Sequence, residues 1–442
     1  MIIQRQLSRS IEEFLNKKTE HKNTLLLCGA RQVGKSTLIT DLLKNQNALI
    51  VNFYENATLP PKIDAVKKFS ELEKLLLREI GFKPSTGQTL VIDEAQESEQ
   101  LGRWVRFIKE KWPHQNVIIL GSVLSKLFSE DLPYPVGRVQ EIVLRPFSFK
   151  EFLIATHKPA LIEILEAASL ENPLEDADRL ALAEMYLDYL RMGGMPAVVL
   201  GQEEEKIDVR TSWNRLLAQY AADVERYLKE NYRSLFLSGV GRIADLACQP
   251  VKNSQIVSTD SPFYRKVPLF LEIMQKWHLV FKAAAQTKHP ESSGGIASKR
   301  YLFDVGMTSF LIHQNQPVSW RDRSELQNII YAKLQETFVC QEILALEPEP
   351  QMDLNYYRET KNSQEIDFLV PLNGKIIPIE VKSQTSFSKN SLMPMLDFLD
   401  HRGLNCGIWV YNGEMRTQRF RGKTIHFIPP FFISELPRVI TP

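Results

Sequence analysis

Short apolar runs alternate with amphipathic stretches along the first third of the chain. Five runs have the length and composition of buried strands, and they span 25–28, 49–53, 90–93, 117–120 and 141–144. Helical patterns separate most of these runs, and another helix is predicted where apolar residues recur every four positions from Ile3 to Leu15. Strands that are apolar throughout and alternate with helices indicate a parallel sheet covered on both faces. We therefore expect an α/β domain over residues 1–150.

After residue 150 the chain changes to helical periodicity alone. This pattern continues from 151 to 233, with one interruption by Gly-Gly-Met-Pro at 193–196, and it predicts a helical lid. The last segment, 319–442, begins with a helical pattern over 324–346 and continues into strands. It is expected to form a separate α/β domain.

The segment between these regions, 234–318, predicts short helices, a polar loop at 289–300 and a strand at 301–303. Helices followed by a wing are the order of a small winged-helix module, and a purely structural connector is the alternative. Four basic residues of this segment are candidates for a DNA-binding face, Arg265, Lys266, Lys299 and Arg300. They are too few to define such a face.

Residues 25–38 read LLLCGARQVGKSTL, the full pattern of a phosphate-binding loop between a buried strand and a helix. Its glycines let the loop turn its N–H groups inward, and the following helix points its positive end at the phosphates. Lys35 is expected to reach the β- and γ-phosphate oxygens of ATP, and Ser36 to offer a hydroxyl to Mg²⁺. The predicted nucleotide contacts are Gly29, Ala30, Arg31, Gln32, Val33, Gly34, Lys35, Ser36 and Thr37.

A second motif supports ATP hydrolysis. Residues 90–94 read LVIDE, an apolar strand that ends in two acids where the ligands of parallel sheets gather. Asp93 is expected to hold Mg²⁺ through water, and Glu94 to orient the attacking water as the general base. The strand at 49–53 lies between the two motifs in sequence, which indicates an additional-strand NTPase rather than a kinase-like protein.

Two further residues are candidates for the nucleotide site. Ser122 follows the strand at 117–120 and is placed to sense the γ-phosphate, with a helix N-cap as the alternative. Arg138 precedes the strand at 141–144 and is a candidate arginine finger, within the chain or between subunits of a homo-oligomer. A surface salt bridge is the alternative for Arg138.

These motifs resemble those of prokaryotic AAA+ superfamily ATPases whose carboxyl-terminal half is a domain of unknown function. The similarity rests on CGARQVGKSTL, LVIDEAQ and RPFSFKEF, and it extends to LFDVG at 302–306 and to the stretch 357–368. It implies an AAA+ core, a helical lid, a winged-helix segment and a restriction-endonuclease-like end. The sequence departs from the family pattern at Ser36, where Thr is more usual, at Val123, and in the proline-rich loop before Arg138.

A hairpin near the carboxyl end is predicted to bring two acids together. Asn373-Gly374 lies between the apolar runs EIDFLV and KIIPIEVK, and Asn-Gly is a strong signal for a two-residue turn. With that turn Asp367 lies opposite Glu380, and Lys382 projects to the same side. Opposed like charges destabilise a sheet unless a cation such as a divalent metal neutralises them. Prolines at 371 and 378 are able to shift this register.

An acid followed by Glu-x-Lys is the pattern of PD-(D/E)XK nucleases, and the family resemblance points the same way. Asp367 and Glu380 are then predicted Mg²⁺ ligands, and Lys382 positions water and offsets charge on the phosphorus. Glu336 is a further candidate ligand, because it shares an apolar helical stripe with Cys340 and Ile343. An intact nuclease, a fold retained for binding and a solvated hairpin all remain open.

Composition places few limits on function. Hydrophobic residues make up 44% and charged residues 24%, as in ordinary globular proteins, and the net charge of +1 gives no overall attraction to nucleic acid. Locally, residues 370–442 carry nine Lys or Arg and five Asp or Glu, which favours a phosphate-bearing partner. The four cysteines (Cys28, Cys248, Cys340 and Cys406) form no C-x-x-C pair, so neither a disulfide framework nor a zinc ribbon is expected.

No stretch approaches about 18 uninterrupted apolar residues, and the amino terminus lacks a signal-type apolar core. We therefore expect a cytoplasmic protein without membrane contact. The leading hypothesis is an ATPase whose nucleotide state controls engagement of nucleic acid, DNA in particular, by a metal-dependent nuclease-like domain. The alternatives are an ATP-driven switch whose last domain only binds a partner or DNA, and a helicase-like motor that works as a ring.

Overall fold

The computed structural model describes residues 3–18, 20–84, 86–128, 132–228, 232–287, 296–315, 325–346, 354–359 and 365–440. The chain divides into two compact units. The first contains Met1–Arg145 together with the short segment Lys276–His278, and the second contains Pro146–Gln275 and the described residues from Leu279 onward.

The first unit is a parallel α/β structure. Its strands are β1 (Thr24–Cys28), β2 (Ala48–Asn52), β3 (Thr89–Asp93), β4 (Val117–Leu120) and β5 (Val139–Val143), and its helices are α1 (Ser8–Asn16), α2 (Lys35–Leu43), α3 (Leu59–Asp64), α4 (Phe69–Ile80) and α5 (Leu101–Lys111). All pairings are parallel, in the order β2-β3-β4-β1-β5. The predicted parallel-sheet core is confirmed, and each strand begins and ends within two residues of its predicted position.

The strand order separates the two nucleotide motifs in space. β4 lies between β1, which leads into the phosphate-binding loop, and β3, which ends at Asp93. β1, β3 and β4 are buried along their whole length, because helices cover the sheet. One face packs against a core that includes Trp104 of α5 and Trp112, which follows that helix. β4 is thus the additional strand between the two motifs in the sheet, whereas β2, which lies between them in sequence, is at the edge of the sheet.

From residue 149 to 276 the described chain is helical, as its periodicity predicts. The helices are α6 (Phe149–Ala155), α7 (Pro159–Ala167), α8 (Asp176–Met192), α9 (Pro196–Glu203), α10 (Val209–Leu228), α11 (Tyr232–Asp245), α12 (Asn253–Ile256) and α13 (Val267–Lys276). The second unit also contains α14 (Val305–Asn315), α15 (Glu325–Ala345), α16 (Met393–Arg402) and α17 (Leu436–Ile440). A lid function for the helices before residue 233 stays a prediction.

The second unit contains a mixed sheet of eight strands among the described residues. The strands are β6 (Val280–Gln286), β7 (Lys299–Leu302), β8 (Asn355–Arg358), β9 (Glu365–Leu372), β10 (Lys375–Lys382), β11 (Cys406–Tyr411), β12 (Arg416–Phe420) and β13 (Lys423–Ile428). Their order is β12-β13-β11-β10-β9-β8-β6-β7.

The strand predicted at 301–303 corresponds to β7, which belongs to this larger sheet. β6 pairs antiparallel with β7 and also parallel with β8, so the pair is continuous with the strands of the carboxyl-terminal region. Most of the predicted polar loop, residues 289–295, and the predicted boundary at 318 lie outside the described residues. The winged-helix assignment therefore stays a prediction, and β7, the strand predicted after the loop, is paired into the eight-stranded sheet.

β9 and β10 form the predicted hairpin. Asn373 and Gly374 both have positive φ, 51° and 73°, as a two-residue type I′ turn requires. The register runs from Leu372 opposite Lys375 to Phe368 opposite Ile379 without a shift. The two prolines therefore leave this register intact, and the irregularity lies in the β8–β9 pairing instead.

Helix α15 is held by aromatic packing within the second unit. Phe149, from the RPFSFKEF stretch, packs edge-on against Phe338 of α15 and Tyr189 of α8. The backbone N–H of Phe149 donates to Glu342 of α15 at 3.0 Å. These contacts position the helix that carries Glu336 on the sheet.

The phosphate-binding loop begins at a glycine that packs directly on the end of β5. Gly29 has φ of 139°, and a Cβ atom there would lie 2.2 Å from the carbonyl oxygen of Leu144. This contact leaves no room for a side chain, and the backbone conformation disfavours one.

We expect Gly29→Ala to lower the free energy of unfolding by about 2–4 kcal/mol, because the methyl group must displace backbone. Chemical denaturation followed by circular dichroism measures the change. Gly241→Ala, at a helical glycine with no atom within 4 Å of the added Cβ, is the control and should be near neutral. An unchanged unfolding midpoint for Gly29→Ala would contradict the close packing.

Candidate functional site

The phosphate-binding loop gathers around a buried lysine. Lys35 begins α2, and its ammonium donates to the carbonyl oxygens of Gly29 at 2.9 Å and Ala30 at 3.0 Å. Gly34, the residue before the helix, has a left-handed φ of 97° that suits glycine. Burial lowers the pKa of Lys35 to about 8. A cation at the amino end of a helix is well placed to meet phosphate oxygens.

The other predicted loop residues have two kinds of environment. Val33 is buried and anchors the loop, whereas Gln32 and Thr37 are exposed and Arg31 is half-buried. Gln32 has a positive φ of 62°, as expected of a loop that turns its N–H groups inward. The predicted nucleotide contacts from Gly29 to Thr37 therefore lie in one loop and the first turn of α2.

An arginine from the segment before α1 braces the loop. The buried guanidinium of Arg5 donates to the carbonyl oxygens of Val33 at 3.1 Å and Arg145 at 2.5 Å. It joins the loop to the chain that follows β5. Sequence reasoning missed Arg5, because its partners lie 28 and 140 residues away.

The two predicted magnesium ligands of this site are hydrogen-bonded to each other. Ser36 Oγ donates to Asp93 Oδ2 at 2.6 Å, and Asn52 Nδ2 approaches the same oxygen at 3.3 Å. The other carboxylate oxygen accepts the N–H of Glu94 at 2.9 Å. Hydroxyl and carboxylate oxygens are the donors that Mg²⁺ prefers, so this set fits the ion. Asn52, at the end of β2, was not predicted, although its position at the same sheet edge is a usable signal.

Glu94 is held in an unusual conformation next to this pair. Its φ and ψ are 54° and 41°, a left-handed geometry that is uncommon for glutamate. Gln96 Nε2 donates to Glu94 Oε2 at 2.5 Å, which orients the carboxylate. Burial raises the pKa of Glu94, and a more basic carboxylate is a better proton acceptor. Gln96 is a positioning residue that sequence reasoning missed.

The two remaining candidates for the nucleotide site, Ser122 and Arg138, lie at opposite edges of the sheet. Ser122 follows β4 at the same sheet edge as the loop and lines a cavity with Cys28. It makes no helix cap, because the next 3₁₀ turn has Val123 at its N-cap position.

Arg138 precedes β5 at the opposite edge of the sheet and pairs with Glu110 at 2.8 Å on the surface. A five-residue strand places it roughly 16 Å from the loop, so the structure does not bring it to the nucleotide site of its own chain. A role in a neighbouring subunit stays a prediction.

In the second unit, the acids predicted to bind metal lie together. Glu336 comes from α15, Asp367 from β9, and Glu380 and Lys382 from β10. Asp367 Oδ2 accepts the backbone N–H of Val381 at 2.9 Å, and Lys382 forms an ion pair with Glu380. We call these four side chains, with Lys299 and Glu365 described next, the carboxylate cluster.

A buried lysine occupies the centre of the carboxylate cluster. Lys299 of β7 is fully buried, and its ammonium lies 2.9 Å from Glu336, 3.0 Å from Asp367 and 3.0 Å from Glu365. Tyr301 donates to Glu336 at 2.6 Å. Burial alone would lower the pKa of Lys299, but the three carboxylates hold it well above its ordinary value. Lys299 is therefore an internal ion-pair partner, and the sequence considered it only for a surface that binds DNA.

The cations of the cluster do not neutralise all of its acids. Lys299 and Lys382 hold the pKa of Asp367 low against the effect of burial. Burial and the charge of Asp367 nevertheless raise the pKa of Glu336 to about 7 and that of Glu380 to about 8. Glu380 Oε2 is buried and has no hydrogen-bond partner among the described residues. A carboxylate oxygen left over in this way fits one more hard cation, such as Mg²⁺.

Neighbouring amides fix the end of β10. Gln335, next to Glu336 on α15, donates to the carbonyl oxygen of Lys382 at 3.0 Å. Asn412 donates to Gln335 at 2.9 Å and to the carbonyl oxygen of Ser383 at 2.7 Å. Helix and strand are thus locked together where the cluster forms.

We expect Lys299→Met to destabilise the second unit by about 3–5 kcal/mol at neutral pH, because it leaves buried carboxylates without their cation. The loss should shrink at about pH 5, where more of these carboxylates take up protons. Denaturant unfolding at both pH values measures it, with Lys282→Met on the neighbouring strand as the exposed control. Equal losses at both pH values would contradict the charge argument.

Two family models match parts of the chain. Residues 21–153 match AAA_14, an AAA domain, and residues 331–431 match DUF4143, a domain of unknown function. An uncharacterized protein of Haemophilus influenzae is 21% identical over 84% of this chain and 86% of its own length. An uncharacterized protein of Methanocaldococcus jannaschii is 22% identical over 52% of this chain and 50% of its own length.

Solved structures include similar chains. A Walker-type ATPase of Pyrococcus abyssi superposes with a TM-score of 0.43 and 16% identity, over 70% of this chain and 96% of its own. DnaA of Aquifex aeolicus bound to AMPPCP gives a TM-score of 0.25 and 14% identity, over 61% of this chain and 88% of its own.

Among the described residues, none of the helices has the length and hydropathy needed to cross a bilayer. The chain joins a parallel α/β unit that contains most of the AAA_14 match to a second α/β unit that contains the DUF4143 match.

Proposed function

We propose that the first unit binds and hydrolyses ATP with Mg²⁺. The observation that carries this proposal is the 2.6 Å contact between Ser36 and Asp93, beside the buried ammonium of Lys35. Lys35 would hold the β- and γ-phosphate oxygens, while Ser36 and Asp93 hold the ion, Asp93 through water. Bound Mg²⁺ supplies charge neutralisation along the phosphate chain.

Glu94 acts as the general base in this proposal. Its carboxylate accepts a proton from the attacking water, and Gln96 keeps it aimed through the 2.5 Å hydrogen bond. Burial, which raises the pKa of Glu94, strengthens it as a proton acceptor. The hydrolytic role of the unit therefore rests on a single oriented carboxylate.

We expect Glu94→Gln to retain ATP binding and to lose turnover by about 10²–10⁴-fold, because the amide accepts no proton. Lys35→Ala should lose binding as well. Phosphate release measures turnover, and a fluorescent ATP analogue measures binding. Glu99→Gln and Lys44→Ala, which change exposed residues of the same types, are the controls. Full turnover in Glu94→Gln would remove it as the base.

We further propose that the nucleotide state controls nucleic-acid engagement by the second unit, whose carboxylate cluster is a metal-dependent nuclease-like site. The unpartnered Glu380 Oε2 supports this proposal, because it lies beside Asp367 and Lys382 in the arrangement such a site requires. A cavity of about 680 Å³ reaches the cluster at Glu365, and Lys252 and Arg358 supply positive charge at its wall.

The charges assign different roles to the residues of the cluster. Asp367 and Glu380 would hold the ion, which supplies Lewis-acid activation of the phosphate. Burial alone would lower the pKa of Lys382, but Glu380 and Asp367 keep it above its ordinary value. Lys382 is therefore a permanent cation that stabilises negative charge on the phosphate, not a base.

One observation favours the rival function, a switch protein whose second unit docks without cleavage. Lys299 fills the space between Glu336 and Asp367, where a catalytic cluster would keep room for metal and water. An internal ion-pair network of this kind is also compatible with a structural or binding role.

We expect Lys382→Ala to lower cleavage by about 10²-fold or more, because no other cation among the described residues pairs with Glu380. Plasmid, single-stranded DNA and RNA are incubated with Mg²⁺ or Mn²⁺, with and without ATP. Lys375→Ala, at the exposed start of the same strand, is the matched control. Glu94→Gln shows whether ATP turnover controls the outcome.

Cleavage that persists unchanged in Lys382→Ala would assign it to a contaminant or another site. Absence of cleavage by the wild type under every condition would overturn the nuclease proposal and favour docking. In that case, filter binding of the same nucleic acids with ATP and with ADP tests whether nucleotide still controls engagement.

A further inference from the structure

Three side chains with metal-binding atoms meet beside the phosphate-binding loop, within the first unit. They are Cys28 at the end of β1, Glu141 in β5, and His278 in the short segment that belongs to the first unit. One thiol, one carboxylate and one imidazole donor atom all lie within 4.8 Å of one another. Donors bonded to one Zn²⁺ at about 2.0–2.3 Å lie up to roughly 4 Å apart, so small side-chain rotations suffice.

The strand register explains why two of these donors share a face. Cys28 lies opposite Val143, and Glu141 lies two residues before Val143 on the same strand. Because side chains alternate along a strand, Cys28 and Glu141 project to the same side of the sheet. The thiol donates to Glu141 Oε1 at 3.3 Å, so the two side chains are already in contact.

The surroundings leave room for an ion and hold one ligand in place. Cys28, Glu141 and His278 line a cavity of about 300 Å³, which also exposes Lys276 at its wall. Tyr134 donates to Glu141 Oε2 at 2.9 Å and leaves Oε1 directed at the thiol. A hydrogen bond that orients a coordinating carboxylate from outside is a usual feature of metal centres.

We propose that Cys28, Glu141 and His278 bind one Zn²⁺ per chain. Sulfur and imidazole donors select zinc over Mg²⁺ and Ca²⁺, which take oxygen ligands. Binding releases the thiol proton of Cys28 to solvent, and the cavity supplies water as the fourth ligand. This centre is distinct from the Mg²⁺ position of the nucleotide site, which uses Ser36 and Asp93.

Co²⁺ is the probe for this site, because thiolate coordination gives a near-ultraviolet charge-transfer band. Protein freed of metal by chelation and kept reduced with a phosphine is titrated with Co²⁺, and then Zn²⁺ is added. We expect one Co²⁺ per chain with a thiolate band, and loss of that band when Zn²⁺ displaces the cobalt. Cys28→Ser should abolish the band, and His278→Gln should weaken binding by at least about tenfold.

Two controls exclude other sites. Cys248→Ser removes the cysteine whose pKa is raised by burial and by nearby Glu336, so it tests a contribution from the carboxylate cluster. His114→Gln removes an exposed histidine of the first unit. Both should keep the band.

Absence of the band in the wild type at micromolar Co²⁺ would overturn the proposal, and so would its retention in Cys28→Ser. Circular dichroism verifies that each variant is folded. If Cys28→Ser fails this check, His278→Gln decides, and unchanged affinity there overturns the site. None of these measurements depends on ATP turnover, so failure here leaves the ATPase proposal intact.

Discussion

The proposed nucleotide site of the first unit depends on one geometric constraint, that all strands of a parallel sheet end at the same edge. Ser36 and Asp93 are 57 residues apart in sequence, yet their side chains are in hydrogen-bond contact because β1 and β3 end at that edge. Asn52 reaches the same carboxylate from the end of β2. The inner strands are buried along their whole length, so a shift along the strand direction would expose apolar surface. These strands therefore fix the positions of the site residues at their ends.

In the second unit the main constraint is electrostatic, because several carboxylates are buried close together in the carboxylate cluster. Lys299 reduces the repulsion by contacting three carboxylates at once, and Lys382 contacts a fourth. Compensation is incomplete, because Glu380 Oε2 is buried without a hydrogen-bond partner among the described residues. Stability would improve if this remaining acid were neutralised, so a bound cation would contribute to folding as well as to chemistry.

Structural features that are formed by a few consecutive residues were predicted correctly from local sequence patterns. The strands of the first unit, the phosphate-binding loop and the turn at Asn373-Gly374 each rely on a few consecutive residues, and the structure agrees with all of them. The missed residues act over long distances. Arg5 reaches a partner 140 residues away, and Lys299 reaches one 68 residues away, so no local pattern reveals either contact.

Two predictions concern placements that the local sequence does not specify. Arg138 is close in sequence to a strand of the parallel sheet, but it precedes that strand and so lies at the edge opposite the phosphate-binding loop, where it forms the surface salt bridge that was its alternative. The strand predicted after the polar loop, β7, pairs with β6, and β6 in turn pairs with β8, about 70 residues later. Sequence patterns identify strands more readily than they identify pairing partners.

The tight turn between β9 and β10 makes this part of the chain intolerant of changes in length. Since side chains alternate along a strand, inserting or deleting one residue on one side of the turn would move Asp367 to the opposite face of the sheet. The contact with the N–H of Val381 would be lost with it. Among homologous sequences, insertions should therefore avoid the eight-residue strands on either side of Asn373-Gly374, while exposed positions such as Pro371 and Ile376 vary freely.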